Sequence, residues 1–383
     1  MQKSFTDPTE FLKNVIQIES ISGNEAELSN FLQDFLKFHG FSLLPSNVGN
    51  AVGFKGSGEP IILLASHMDT VPTNNPFRSE KERIYGMGAV DCKPSLASMF
   101  FSAATAEWKE NEGTIILAGI VQEEISHLGM RDYFEKGIKP QFAIFGEPTT
   151  DTQICVGYKG RVLIRIVITS ETGHAACCWQ YDNPAEIAVL IVNKLKEYEA
   201  EINKHVQVDQ NSKRFQELSV VLTIISAEST DNTIPKSCTF SVDIRIPPKI
   251  KIESIKEKIE SIKKEINTAQ ITNETTKIEI QYLSEIEPCE SDPNNILPNA
   301  LRWAIFKTIE KKPVLVKKTG TSFTNLIASH YKIPTITYGP GDPKLEHSDA
   351  EYIEIEEYLR VIEIYRKFFP KFKELHRKSK QSN

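Results

Sequence analysis

Residues 114–126, TIILAGIVQEEIS, form an apolar run that stops at two adjacent glutamates, Glu123 and Glu124. An uninterrupted run of this kind reads as a strand buried on both faces, the pattern of a parallel sheet. Open α/β sheets place their ligands beyond the carboxyl ends of such strands, and two neighbouring carboxylates coexist there only beside a cation or in different protonation states. The texture repeats on both sides of the stretch. Apolar strands IILLAS (61–66) and FAIFG (142–146) alternate with helical patterns at 8–20, 25–39, 94–108 and 128–136. The expected fold is therefore α/β, a mixed, mostly parallel sheet sandwiched by helices.

Between about 156 and 286 the order changes to GYKGRVLIRIVIT, NPAEIAVLIVNKLKEYEAEI, LSVVLTIISA, CTFSVDIRI, IESIKEKIESIKKEIN and TKIEIQYL. Read as β-α-β-β-α-β, this is a ferredoxin-like plan inserted as a second domain. After about 292 the helix–strand alternation returns, and those pieces most simply complete the first sheet. The expected organisation is a candidate catalytic domain in two parts, 1–155 and 291–383, around an inserted domain at 156–290.

Bulk properties exclude several classes. Hydrophobic residues make up 40% of the 383 positions, and no apolar run approaches the roughly 20 residues that span a bilayer. The amino terminus carries no secretory pattern and reads as a capped helix, so a cytoplasmic location is expected. A net charge of −6 gives no reason to expect nucleic-acid binding. The six cysteines show no CxxC pair, which argues against a thiolate zinc site or a disulfide framework. The basic stretch RKFFPKFKELHRKSK (366–380) reads first as a solvated terminal helix with a frayed end.

Polar residues collect where the strands end. His67 and Asp69 close IILLAS two residues apart, so Asp69 can accept the free ring N–H of His67 and fix its tautomer. Alone, that pair is equally a capping or core histidine. Asp91 lies in YGMGAVDCKPS before a helix, where an N-cap is the bland reading. Glu147 follows FAIFG, and His347 lies in the loop after the last strand. Together His67, Asp91, Glu124, Glu147 and His347 are two imidazoles and three carboxylates, a set that suits zinc or another divalent first-row ion. A bridging carboxylate between two ions about 3.5–4 Å apart would use all five. Glu123 then stands free as a general base.

The blocks SHMDTVP, YGMGAVDCKPSLA, VQEEISHLG, FGEPT, TGHAA, NTIPKSCTFSVDIR and EHSDAEYI, in this order, resemble the dinuclear zinc-dependent deacylase and carboxypeptidase family. The resemblance implies that Asp91 bridges the metals, that His67 and Glu147 complete one site and Glu124 and His347 the other, and that Glu123 is the base. A Glu at 147 resembles the deacylases more than the peptidases. It further implies that the inserted domain is a lid through which a homodimer forms, with His174 of the lid helping to bind the oxyanion. Asn232 and Arg245 would contact the substrate or its carboxylate, as would the Gly320-Thr321-Ser322 turn. The phrases GYKGR, KKTGTS and YGPGDPKLEH look closest to the hydrolases that release lysine or ornithine from an acidic amino-group carrier protein, or from an N-acetyl form. Two zinc ions, with cobalt as an alternative, are the implied cofactors. Basic residues such as Lys311, Lys312, Lys317 and Lys318 could steer the acidic partner. Phe323 departs from the pattern, because relatives usually have Asp after GTS. Two alternatives stay open: a dipeptidase or aminopeptidase with the same site, and a non-catalytic binding protein on the same scaffold.

Overall fold

The structure, a computed structural model, describes residues 2–206, 213–268, 272 and 275–381. It divides into two compact units: Met1–Gly157 with Glu290–Val316 and Ser322–Asn383, and Tyr158–Cys289 with Lys317–Thr321. The short segment Lys317–Thr321 thus groups with the inserted unit, whereas the sequence reading keeps it in the closing catalytic piece. Five residues have no periodicity of their own, and only their packing assigns them.

The first unit is built on a nine-stranded mixed sheet whose central order is Ser42–Leu44, Ala51–Ser57, Gly113–Ile120, Ile61–His67, Phe142–Gly146, Thr335–Thr337. The last four run parallel, with Leu64 opposite Leu117 on one side and Ile144 on the other. Alternate residues of each strand enter different cores, as the two-residue period of a strand requires. Ile62, Leu64, Ile115, Leu117 and Ile144 pack with the helices Pro8–Gln17, Ala26–Phe38, Lys93–Thr105, Ile296–Ile309 and Ile355–Gln381. Leu63, Ala65, Ile116, Ala118 and Phe145 meet Met130, Tyr133, Phe323 and Ile327 on the opposite face. This double cover is why TIILAGI carries no polar residue beyond its first threonine.

Helix starts follow the local chemistry. Asp7 caps Pro8–Gln17 by accepting from the backbone N–H groups of Thr9 and Glu10, both at 2.9 Å, and Pro8 occupies a first-turn position that needs no donor. The basic tail is less solvated than its charge suggests. Phe368, Phe369, Phe372, Lys373 and His376 are buried within Ile355–Gln381, and the Lys373 ammonium lies 4.8 Å from the Trp108 ring centre. No helix among the described residues is long and apolar enough to cross a membrane.

The second unit has a four-stranded antiparallel sheet in the order Ser219–Ser226, Ser237–Ile246, Gly160–Thr169, Lys277–Ile286. Helices Pro184–Asn203 and Ile252–Thr268 cover one face, burying Val162, Ile164, Ile166 and Ile168 of the central strand against Ile187, Ile191, Ile255 and Ile259. The order is that of a ferredoxin-like domain. Its outer strand Ser219–Ser226 leaves Val221, Leu222, Ile224 and Ile225 exposed.

Candidate metal centre

Parallel strands bring their carboxyl ends to one edge of the sheet, and the polar residues of the first unit converge there. His67 is the last residue of its strand; Glu123 and Glu124 follow Gly113–Ile120, Glu147 follows Phe142–Gly146, and the loop after Thr335–Thr337 carries His347. Asp91 arrives from the turn before helix Lys93–Thr105. That helix is headed by Cys92 with no side-chain cap, so Asp91 does not serve as an N-cap. Its two carboxylate oxygens face different imidazoles. Oδ1 is 3.1 Å from His67 Nε2, and Oδ2 is 3.0 Å from His347 Nε2.

The remaining carboxylates divide between the two histidines. Glu124 Oε1 lies 2.9 Å from His347 Nε2, and Glu147 Oε2 lies 3.9 Å from His67 Nε2. Three groups of ligand atoms among the described residues each fall within 4.8 Å: His67, Asp91, Cys92 and Glu147; Asp91, Glu124 and His347; and His67, Glu123 and Glu124. Asp91 belongs to the first two. Two imidazole nitrogens and three carboxylates gathered this closely fit a pair of divalent ions sharing one carboxylate. Cys92 enters the first group by proximity. Burial pushes its thiol up to about 12, and its sulfur sits 2.9 Å from the Ser66 hydroxyl, which suits a packed thiol rather than a thiolate ligand.

Charge in the cluster is strongly perturbed. Burial, with the charges of Glu124, Asp91 and Asp69 adding to it against the opposing pull of His67, pushes Glu123 up to about 8. Its hydrogen bond to Asp91 raises His347 to about 9. Burial opposes ionisation of Asp91, yet the hydrogen bonds from His347 and His67 hold it well below the carboxylate range.

Asp69 has partners beyond the expected histidine. His67 Nδ1 lies 2.8 Å from the backbone carbonyl of Asp69 and 3.5 Å from its Oδ1, so the main chain is the nearer acceptor. The carboxylate also accepts from the backbone N–H groups of Glu123 at 2.9 Å and Glu124 at 3.0 Å, and from the Ser22 hydroxyl at 2.8 Å. Asp69 therefore holds the glutamate pair as well as flanking the histidine. Glu25 adds a further tie by accepting from Gln122 N–H at 3.1 Å.

The other expected residues lie in the inserted unit, except Ser322. His174 Nδ1 accepts from Ala176 N–H at 3.0 Å, which places the ring proton on Nε2. Asn232 is adjacent, its carbonyl accepting from Ala175 N–H at 2.8 Å. Arg245 and Gly320 line one cavity of about 570 Å³ with Lys159, Arg214, Glu199 and Glu217. Arg245 Nε donates to Asp243 at 2.7 Å. Thr321 ends the segment Lys317–Thr321 of that unit. Ser322 caps helix Phe323–Tyr331, its hydroxyl accepting from Thr324 N–H at 3.1 Å. Phe323 points into the core, with ring centres 5.8 Å from Phe145 and 6.0 Å from His127. Glu351, Glu25 and Ser22 escape sequence reasoning; of these only Glu351 has a local signal, its place four residues after His347.

Residues 63–371 match Peptidase family M20/M25/M40, and the chain belongs to that family. Among its relatives, a Pyrococcus furiosus protein provisionally named a LysW-lysine/LysW-ornithine hydrolase is 31% identical over 364 residues, 94% of this chain and 96% of its own. The LysW-lysine/LysW-ornithine hydrolase of Sulfurisphaera tokodaii is 30% identical, covering 93% of each chain. A solved Bacillus subtilis protein, described as a dinuclear metal-binding peptidase from the M20 family, superposes with a TM-score of 0.70 at 15% identity over 96% of this chain and 98% of its own.

Proposed function

We propose that this protein is a two-metal amide hydrolase that releases lysine or ornithine from an acylated form carried on LysW, the carrier in its relatives' names. The observation that carries the reading is the Asp91 carboxylate, whose two oxygens face His67 and His347 at 3.1 and 3.0 Å. His67 and Glu147 hold one ion and His347 and Glu124 the other. Zinc is the proposed native metal and cobalt a substitute, as imidazole and carboxylate donors favour. When bound, the ions polarise the scissile carbonyl and lower the pKa of the attacking water.

The chain's own residues move the protons and orient the substrate. Glu123, next in the chain to the ligand Glu124, accepts the water proton and afterwards returns it to the leaving amine. His174, with its proton on Nε2, serves the active site of the partner subunit in the proposed dimer and donates there to the developing oxyanion. Arg245 and its neighbours Lys159 and Gly320 receive a substrate carboxylate, for which a guanidinium fork is suited.

The assembly proposed is a homodimer through the inserted unit. The apolar side chains along the outer strand Ser219–Ser226 support it, because an exposed apolar edge strand is an aggregation hazard unless paired. The location proposed is the cytoplasm. Activity on LysW-linked lysine and ornithine, acetyl-lysine and simple dipeptides should be compared on zinc-loaded protein, alongside Glu123→Gln. The variant should keep its zinc and lose about 10²- to 10⁴-fold in kcat. Near-normal turnover by the variant would remove the base, and preference for dipeptides would replace the substrate.

A further inference from the structure

The loop that delivers His347 also carries Glu351, whose side chain is directed back at the loop that delivers Asp91. Glu351 is 2% exposed. Its Oε2 accepts from Gly88 N–H at 2.9 Å and its Oε1 from Asp91 N–H at 3.3 Å. A second tie runs parallel to the first: Asn75 Nδ2 donates to the Glu351 carbonyl at 2.8 Å and to the Gly86 carbonyl at 3.1 Å. A third links Asn74 N–H to Asp349 Oδ1 at 2.7 Å. The recipient loop has little room to settle elsewhere. Gly88 has φ +74°, and a Cβ there would lie 2.4 Å from Thr70 Cγ2.

We propose that Glu351 is a positioning residue for the dinuclear centre: its carboxylate clamps the Gly86–Asp91 loop to the His347 loop and so sets the bridging carboxylate against the histidine that shares it. The inference rests on the two-metal reading of the site. A carboxylate that receives two backbone N–H groups is nearly immobile, because leaving either donor buried without an acceptor costs free energy. Asp91 is the recipient's own residue, so its main chain is fixed one bond from the Cα that aims its side chain. His347 is fixed from the other end, four residues from Glu351. Its backbone φ of +55° is a conformation that the surrounding loop must impose.

The chain supplies its own control. Glu357 is another carboxylate that accepts two backbone N–H groups, from Asp151 and Gly341, both at 3.1 Å. Neither of those residues is a ligand. Removing either carboxylate therefore strands two donors, but only one removal loosens the bridging residue. Outer partners of ligands commonly change metal affinity by about 10- to 100-fold.

Glu351→Ala, Glu351→Gln and Glu357→Ala should be prepared metal-free and titrated with zinc against a chelator, with urea unfolding of each metal-free protein in parallel. The two alanine variants should lose comparable stability. Zinc affinity should fall by about 10- to 100-fold in E351A, recover in part in E351Q, whose amide oxygen still accepts one N–H, and stay within about threefold of wild type in E357A. Equal zinc affinities in E351A and E357A would overturn the proposal. If E351A does not fold, an E351Q affinity no lower than that of E357A does the same. Failure of the wild-type protein to bind zinc would instead strike the two-metal reading itself.

Discussion

Replacing Asp69 by Asn tests how the glutamate pair is held. The Asp69 carboxylate receives three donors at 2.8–3.0 Å, the N–H groups of Glu123 and Glu124 and the Ser22 hydroxyl. Asparagine keeps one acceptor oxygen and turns an NH₂ toward the donors of the other. Whichever way the amide lies, one backbone N–H loses its acceptor, at about 1–3 kcal/mol. The surviving bonds lose their charge assistance, about 1 kcal/mol each, and relief of the buried charge returns a similar amount. The expected net loss is about 2 kcal/mol. It is read by urea unfolding of the metal-free protein, where no ion masks it. Ser22→Ala, which deletes one side-chain donor and leaves both N–H groups satisfied, should cost about 1 kcal/mol. Displacement of Glu123 should also lower kcat about 100-fold with a much smaller change in KM. A D69N protein within about 0.5 kcal/mol of wild type, with ordinary kcat, would refute the reasoning, since that is less than one ordinary hydrogen bond.

Three further outcomes are expected. Phe323→Ala empties a site between Phe145 and His127 and should destabilise the protein by about 3–5 kcal/mol, with zinc affinity unchanged; calorimetry and zinc titration check the two halves. Burial lowers Lys159 to about 8 from its ordinary 10.5. The unfolded chain therefore binds more protons than the native one between those values, and stability rises with pH in that window. The Tm deficit of wild type relative to Lys159→Met should shrink between pH 8 and 10.5, and a constant difference would contradict the burial effect. Ile224→Lys, on the exposed edge strand, should convert the proposed dimer to monomer in light scattering without unfolding the inserted unit.

The main sheet was legible because burial on both faces removes polar residues from its strands, as in IILLAS and FAIFG. The candidate ligands His67, Glu124 and Glu147 were legible for the same reason: a histidine or glutamate ending such a strand stands out. What escaped was anything decided by packing between distant segments. The sequence pairs Asp69 with the histidine two residues away but gives no sign that its carboxylate also receives main-chain donors 54 and 55 positions along. Glu351 acts on Gly88 and Asp91 across more than 250 residues. Phe323 stands out in the sequence only as a departure from the pattern after GTS; it is 1% exposed and belongs to the core.

The insertion also shapes how the chain is made. Phe142–Gly146 pairs with Ile61–His67 on one side and Thr335–Thr337 on the other. On the ribosome, the second neighbour emerges only after the entire inserted unit has been synthesised. Until then FAIFG is an open, apolar flank, the feature through which nascent chains stick to one another. The inserted unit has its own core and can complete itself during that interval. Chaperone dependence should accordingly centre on this delayed closure, and slowing translation across the insertion would lengthen the exposure.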